Sequence, residues 1–143
     1  MQVIIEQVDD QQDEVVILRC KKLSAKHLKA IQILEAADSV IGYKKSEMHR
    51  VDAEDIFYFE SVDNKIFLYT EDDVLEYKNR LLDVENTLGG DFVRVSRVVI
   101  LNWKKIASLK PMLNGRMEAM LLNGEKQIIS RQYVADLKRK FTG

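Results

Sequence analysis

Residues 106–129 read IASLKPMLNGRMEAMLLNGEKQII and contain two Asn-Gly pairs, each lying between short apolar runs. An Asn-Gly pair in this setting is the strongest local signal for a β-hairpin, because both residues accept the positive φ angles of a tight turn. The stretch therefore predicts three consecutive strands, over residues 106–112, 117–122 and 126–129. The last third of the chain is expected to be rich in short antiparallel strands.

Short apolar runs separated by turn residues continue towards the N-terminus. They predict strands over residues 40–43, 47–51, 56–60, 65–70, 74–78, 92–95 and 98–101. The run 56–60 is apolar on both faces, which is typical of a central strand. Helices are predicted over 79–88, ended by Gly89-Gly90, and over 131–141, with Ser130 as the N-cap. The predicted fold class is α+β, predominantly antiparallel β.

Residues 1–41 are predicted to be an appendage to a main domain of residues 42–143. Two β-branched runs, 3–8 and 14–20, flank an acidic polar stretch and predict a hairpin. An amphipathic helix is expected over residues 25–38. Two strands and one helix bury little apolar surface by themselves, so the appendage is expected to contact a partner or to dimerise. The alternative is that it covers the first sheet of the main domain.

The composition excludes several classes of function. Of 143 residues, 46% are apolar and 31% are charged, which suits one domain with a substantial core. Cys20 is the only cysteine, and His27 and His49 are the only histidines, which excludes an internal disulfide and a Cys/His zinc site. Without a signal peptide or a long apolar run, a soluble, cytoplasmic protein is expected. Acidic pairs lie in predicted turns without a partner base, and no Gly-rich phosphate loop occurs, so neither an enzyme nor a cofactor is expected.

Charge is divided unevenly along the chain. From Arg97 to the C-terminus, ten lysines and arginines stand against three acidic residues, which gives this part +7. The whole chain carries −1, so residues 1–96 carry −8. Such asymmetry points to a surface for a polyanion, and nucleic acid is the commonest polyanion that a folded basic surface meets.

Three sequence blocks occur in a fixed order between residues 42 and 143. They are IFYFES (56–61) with NK (64–65) and YT (69–70); FVRVSR (92–97) with ILN (100–102); and Pro111, NGR (114–116), LNGE (122–125), ISRQY (129–133) and LK (137–138). Together the blocks resemble the LytTR DNA-binding domain family, and the combination is far more specific than any single block.

The resemblance implies small packed β-sheets and a bacterial transcription regulator that inserts loops, not a recognition helix, into successive major grooves of double-stranded DNA. Family members usually bind repeated half-sites, often as dimers, so a homodimer is expected. By position, the resemblance implies DNA contacts at Asn64 and Lys65, in the loop from Arg94 through Arg97 to Asn102, and at Ser130 and Arg131. Arg97 and Arg131 are the best candidates for base contacts, because arginine can hydrogen-bond guanine O6 and N7 together.

Further basic residues are expected to contact phosphates, which position a protein without specifying sequence. They are Lys104, Lys105, Arg116 and Lys138, with Arg139 and Lys140. The backbone N–H groups at Ser130 are expected to add to this set at the start of the final helix. If about five phosphates are neutralised, log K is expected to fall against log[salt] with a slope of ~−4 to −5.

Ordinary structural roles remain open for several of these residues. Asn64 and Arg116 can serve as turn residues, Asn102 can bond the backbone at a strand end, and Lys138 can complement the helix macrodipole. For the whole chain, the alternatives are a protein-interaction regulator with little DNA affinity and an RNA-binding module. Exposed aromatic side chains would favour RNA, whereas buried aromatics with arginines on loops would favour duplex DNA.

The chain departs from the family pattern in two places. Ser96-Arg97-Val98 stands where the family often has His-Arg-Ser, which bears on the base preference. About 41 residues precede the matched region, too few for the doubly wound phosphoacceptor domain that most members carry. Phosphorylation of an attached receiver is therefore not expected to be the switch, and a small membrane protein is the expected modulator.

Overall fold

The protein is described here by a computed structural model covering residues 1–35 and 39–143. It divides into two compact units, Met1–Glu35 and Ala36–Gly143. The first unit contains helix α1, Ala25–Glu35. The predicted helix over residues 25–38 is confirmed up to Glu35, and residues 36–38 lie outside the described part. None of the helices in the described ranges is long and apolar enough to cross a membrane.

The predicted N-terminal hairpin is wrong. Within the described residues 1–35, the runs 3–8 and 14–20 form no strand. The acidic turn between them does form, since the Gln12 N–H donates to the Asp9 carbonyl at 3.2 Å. Strand preference reflects the fit to a pleated, half-buried surface, and every residue from 1 to 26 is exposed in this chain.

Ten strands form two antiparallel sheets in residues 39–143. Their bounds are β1 Ser39–Lys44, β2 Glu47–Asp52, β3 Tyr58–Val62, β4 Lys65–Tyr69, β5 Val74–Tyr77, β6 Phe92–Arg94, β7 Val99–Asn102, β8 Ile106–Pro111, β9 Met117–Leu121 and β10 Lys126–Ile129. The larger sheet has the order β2-β1-β5-β4-β3-β7-β6, and the smaller has the order β10-β9-β8. This confirms the predicted fold class and places β3, the predicted central strand, between β4 and β7.

Tight turns set the register of the hairpins. Lys45-Ser46 and Asp63-Asn64 have positive φ angles at both positions, as two-residue turns between antiparallel strands require. Asn114-Gly115 turns β8 into β9 with φ angles of 64° and 75°, and Gly124, with φ of 89°, follows Asn123 between β9 and β10. Both hairpins predicted from the Asn-Gly pairs are therefore confirmed.

The larger sheet buries apolar side chains on both faces. Helix α2, Leu81–Thr87, covers one face, where Phe59 and Ile100 are fully buried. The smaller sheet and helix α3, Val134–Thr142, cover the other face, where Tyr58 and Leu101 are buried. Because neighbouring residues of a strand point to opposite faces, β3 and β7 contribute to both cores. The loops that leave these strands are thus carried by a rigid frame.

A polar contact joins the two sheets. The Tyr58 hydroxyl donates a 2.8 Å hydrogen bond to the carboxylate of Glu125 in the β9–β10 turn. Its ring stacks on Tyr69, with 4.3 Å between the centroids. Burial, and then the hydrogen bond to Glu125, raises the pKa of Tyr58 well above its usual value. The phenol therefore stays protonated and keeps donating at neutral pH.

The final helix begins later than predicted. Arg131–Tyr133 forms a 3-10 turn, and α3 follows at Val134. Ser130 occupies the N-cap position, but its side chain makes no capping hydrogen bond. The predicted inner stripe is confirmed, since Leu137 is fully buried and Tyr133 and Phe141 pack against the same core.

Candidate nucleic-acid interface

Three connections lie together at one end of the larger sheet. They are the β3–β4 turn at Asp63-Asn64, the β5–α2 connection at residues 78–80, and the β6–β7 loop at residues 95–98. β4 pairs with both β3 and β5, and β7 pairs with β3, all antiparallel. These connections therefore lie at the same end of the sheet. The Ser61 N–H confirms the proximity by donating to the Val98 carbonyl at 2.8 Å.

These connections border a strongly basic groove with a volume of about 740 Å³. Its basic side chains are Lys65, Lys78, Arg80, Arg94 and Arg97. The amides of two asparagines, Asn64 and Asn79, also line it, and Glu76 is the single acidic residue of the lining. A concave surface with one sign of charge concentrates and orients an oppositely charged partner. The groove therefore suits a polyanion.

The start of the C-terminal helical segment lies beside the β6–β7 loop. The Ser130 N–H donates to the Val95 carbonyl at 2.9 Å, which ties the end of β10 to the start of that loop. Ser130 and Arg131 are thereby held next to the loop that carries Arg97. The same bond corrects one prediction, because the Ser130 N–H is used inside the protein and is not free for a phosphate.

The β8–β9 turn adds basic residues to the same place. Arg116 directly precedes Met117, which pairs with Ile129, so Arg116 and Ser130 are neighbours across the strands. The aliphatic stem of Arg131 covers Gly115 so closely that a Cβ there would lie 2.8 Å from Arg131 Cδ. Arg116 and Arg131 therefore form one basic cluster.

Arg94 shapes the β6–β7 loop from inside the protein. Its Nε donates to Glu85 Oε1 at 2.5 Å, and its terminal nitrogen donates to the Arg97 carbonyl at 2.8 Å. Only 24% of the Arg94 side chain is exposed. Arg94 therefore positions the loop and also lines the groove, and its direct contact with DNA stays a prediction.

Arg97 occupies the exposed bend of this loop. The loop backbone is held by Ser96, whose Oγ accepts hydrogen bonds from the N–H groups of Val98 at 3.2 Å and Val99 at 3.1 Å. Within the described residues, the Arg97 guanidinium forms neither a hydrogen bond nor an ion pair with another side chain. Its donors are therefore available to a ligand.

Asn102 is not a surface residue, and its predicted role in DNA contact is wrong. Its side chain is 2% exposed. Nδ2 donates to the Ile56 carbonyl at 3.0 Å, and Oδ1 accepts from the Lys104 N–H at 3.1 Å. The amide thus joins the entry to β3 with the end of β7, which is the structural role left open for it.

Lys104 and Lys105 follow β7 at the end opposite Arg97, and the four residues of β7 span about 13 Å at the usual rise per strand residue. Lys104 Nζ is 3.4 Å from Asp91, and Lys105 Nζ lies 5.1 Å from the centre of the Phe57 ring. A pocket beside both lysines is lined by Asp52, Glu54, Asp55 and Asp91. The acidic surroundings of both lysines argue against the phosphate contacts predicted for them.

The basic residues of α3 have separate roles. Lys140 donates to the Gly90 carbonyl at 2.8 Å, and Arg139 pairs with Asp136. Lys138 is exposed and has no ionic partner among the described residues. Of the three, only Lys138 keeps the features of a phosphate contact.

The β5–α2 connection lines the groove, although the sequence patterns did not predict a role for it. Lys78, Asn79 and Arg80 are exposed and line the groove. Arg80 is positioned by Asp83, which accepts its backbone N–H at 2.8 Å and its guanidinium at 3.4 Å. These two hydrogen bonds, the backbone one first, hold the pKa of Asp83 below its usual value. The available signal was a Lys-Asn-Arg triplet between a predicted strand and a predicted helix.

The larger sheet presents exposed basic side chains from several connections at one end, and a clustered basic surface of this kind suits nucleic acid. Residues 46–142 match the family model of the LytTr DNA-binding domain. The chain belongs to this family, which confirms the resemblance of its sequence blocks, and it is in general terms a DNA-binding regulator.

Similar proteins agree with this assignment. Proteins named uncharacterized HTH-type transcriptional regulators, from Staphylococcus aureus strains NCTC 8325 and COL, are 24% identical over 115 residues, covering 80% of this chain and 78% of theirs. The LytTr DNA-binding domain of a Bacillus cereus protein described as a methyl-accepting/DNA response regulator superposes with a TM-score of 0.69 at 22% identity, covering 74% of this chain and 98% of that one. The latter likeness shows the fold. Although the relatives are named HTH-type, five strands separate each consecutive pair of α-helices in the described part of this chain.

Proposed function

We propose that the chain is a sequence-specific regulator of transcription that binds double-stranded DNA by inserting loops into major grooves. The observation that carries the proposal is the hydrogen bond between Ser130 and Val95, because it places the Arg97 loop beside Arg131. Arg97 and Arg131 read base edges in this proposal, since a guanidinium can bond guanine at two acceptors. The other phosphate contacts in this proposal are Lys65, Lys78, Arg80 and Arg116 at this end of the sheet, and Lys138 on α3.

The buried aromatic side chains favour duplex DNA over single-stranded RNA. A single-strand binder presents aromatic rings on which unpaired bases stack. Here Phe57, Tyr58 and Phe59 are 4%, 6% and 0% exposed. The RNA-binding alternative therefore lacks its stacking platform on β3.

Finer features of the proposal concern assembly and control. We propose that the chain acts in the bacterial cytoplasm as a homodimer on repeated half-sites, because two copies of the chain can each occupy one half-site. A small membrane protein is the proposed modulator. Selection of bound duplexes from a random pool tests the function directly: enrichment of one repeated motif supports it, and a pool that stays random contradicts it.

Lys78→Ala is expected to lower the magnitude of the slope of log K against log[salt] by about 0.9, because each phosphate contact releases about that many counterions from B-DNA. Affinity should fall similarly for selected and random duplexes, since a phosphate contact carries no sequence information. Fluorescence anisotropy titrations over a series of salt concentrations measure both quantities. Lys126→Ala is the matched control, because Lys126 is exposed near Glu118 and starts β10 at the end opposite Ser130. Equal slopes for Lys78→Ala and Lys126→Ala would remove Lys78 from the interface.

Gly115→Ala is expected to weaken binding to the selected duplex by about tenfold, since the added Cβ displaces the Arg131 stem and one base contact is worth ~1–3 kcal/mol. Gly124→Ala is the control. Gly124 also has a positive φ, but a Cβ there meets nothing within 4 Å. Both variants place an alanine at a positive φ, but only Gly115→Ala displaces the Arg131 side chain. The difference between their affinities in anisotropy titrations therefore reports that displacement. If the two variants bind equally well, Gly115 does not set the position of Arg131.

A further inference from the structure

The first unit, Met1–Glu35, exposes most of its large apolar side chains. Ile4 and Ile5 are 81% and 85% exposed, and Val15, Val16 and Ile17 are 68%, 63% and 70% exposed. Clusters of exposed apolar residues beyond a few hundred Å² are rare on soluble monomers and mark interaction surfaces. The two runs that contain them, residues 3–8 and 14–20, therefore suit contact with another chain.

Among the described residues, the backbone of these runs belongs to neither sheet. Both are rich in β-branched residues, which fit a pleated and half-buried surface. Neither forms a strand in the described residues 1–35. Unpaired segments of this kind are templates for strand addition from a second chain, which supplies the missing backbone hydrogen bonds.

The charges of the same unit fall into two opposite blocks of equal size. The acidic block, residues 6–14, contains five acidic and no basic residues: Glu6, Asp9, Asp10, Asp13 and Glu14. The basic block, residues 19–29, contains five basic and no acidic residues: Arg19, Lys21, Lys22, Lys26 and Lys29. Within the described part of the chain, none of these ten side chains forms an ion pair.

The two charge blocks make this unit complementary to a second copy of itself. In a two-fold interface residue i of one copy meets residue j of the other, and j meets i. The acidic block of each copy can then face the basic block of the other. The β-branched runs of one copy, residues 3–8 and 14–20, contact the same runs of the other copy. The five carboxylates disfavour a nucleic acid as the occupant, and the five cations disfavour a partner of purely basic character.

We propose that residues 1–35 form a two-fold interface with the same residues of a second copy, with the acidic block of each copy against the basic block of the other. The interface provides the homodimer of the proposed function, on which this inference rests. The interface uses none of the residues that line the basic groove.

Charge reversal in the full-length chain tests the interface. Asp13→Lys/Glu14→Lys and Lys21→Glu/Lys22→Glu each spoil both block pairs of a homodimer, and each is expected to raise the dimer dissociation constant by about tenfold or more. An equimolar mixture of the two variants is expected to dimerise again, because one of the two block pairs is intact in the mixed dimer. Glu71→Lys/Asp72→Lys is the matched control, since these exposed residues lie in the β4–β5 turn of the second unit.

Light scattering across a micromolar concentration series gives the masses. The wild-type chain and the control are expected at twice the 16.6 kDa monomer mass. A wild-type monomer throughout, or reversal variants that dimerise as tightly as the wild type, would overturn the interface. A mixture that dimerises no better than its components would overturn the pairing of the blocks.

Binding to a duplex with one half-site separates this inference from the proposed function. Monomeric reversal variants that bind the single half-site as well as the wild type support both. A wild-type dimer without DNA affinity would remove the proposed function and leave the interface intact. A wild-type monomer with DNA affinity would remove the interface and leave the proposed function intact.

Discussion

Replacing Arg97 and Arg131 together by alanine is expected to lower the affinity for the selected duplex by about 100-fold or more. Each guanidinium that bonds guanine at two acceptors contributes about 1–3 kcal/mol of base discrimination. Neither residue belongs to the buried core, so the loss should appear in binding and not in folding. Affinity for random duplex should fall much less, because most phosphate contacts remain.

Anisotropy titrations at one salt concentration give the affinities for the selected and the random duplex. The ratio of these two affinities tests the prediction. Lys104→Ala is the control, because it also removes a positive charge but lies beside Asp91 at the far end of β7. We expect Lys104→Ala to bind within about twofold of the wild type, as expected for an exposed charge far from the ligand. An unchanged ratio of selected to random affinity in the double variant would refute the base-contact assignment.

Asn102→Ala is expected to lower the free energy of unfolding by roughly 2–4 kcal/mol, because a buried polar group left without a partner costs about 1–3 kcal/mol. Two groups lose their partner in this variant. The Ile56 carbonyl loses the Nδ2 donor, and the Lys104 N–H loses the Oδ1 acceptor. The folded fraction should keep nearly the DNA affinity of the wild type.

Urea denaturation gives the stability, and Asn123→Ala provides the comparison. Asn123 Oδ1 also accepts a hydrogen bond two residues along the chain, from the Glu125 N–H at 3.0 Å, but it is in an exposed turn contact. Loss of that bond should cost about 0.5–1.5 kcal/mol at most. If Asn102→Ala were as stable as Asn123→Ala but bound DNA poorly, Asn102 would have to act at the interface after all.

The fold was largely predictable because its information is local. The Asn-Gly pairs at residues 114–115 and 123–124 specify turns by the φ angles that they tolerate. The run 56–60, apolar on both faces, correctly indicated a strand with a core on each side. The N-terminal strands were wrongly predicted because strand formation needs a surface to pack against, and residues 3–8 are exposed in the described part of the chain.

The candidate site was only partly predictable, for reasons of three-dimensional placement. Counting charge along the sequence assigned the basic surface to the last third of the chain. The groove instead takes Lys65, Lys78 and Arg80 from the acidic part, because β4 and β5 end beside the β6–β7 loop. The same count included Lys104, which the four residues of β7 carry to the opposite end. Sequence gives the sign of a charge, but strand register decides which charges meet.

The support of the β6–β7 loop has a consequence for how binding preferences diverge. The loop backbone is fixed by its neighbours, through Ser96 Oγ and the Arg94 guanidinium, while the side chain of Arg97 contributes nothing to that support. The side chain at position 97 can therefore be exchanged without loss of the hydrogen bonds that hold the loop. In the proposed function, a substitution at position 97 changes the base preference without refolding the loop.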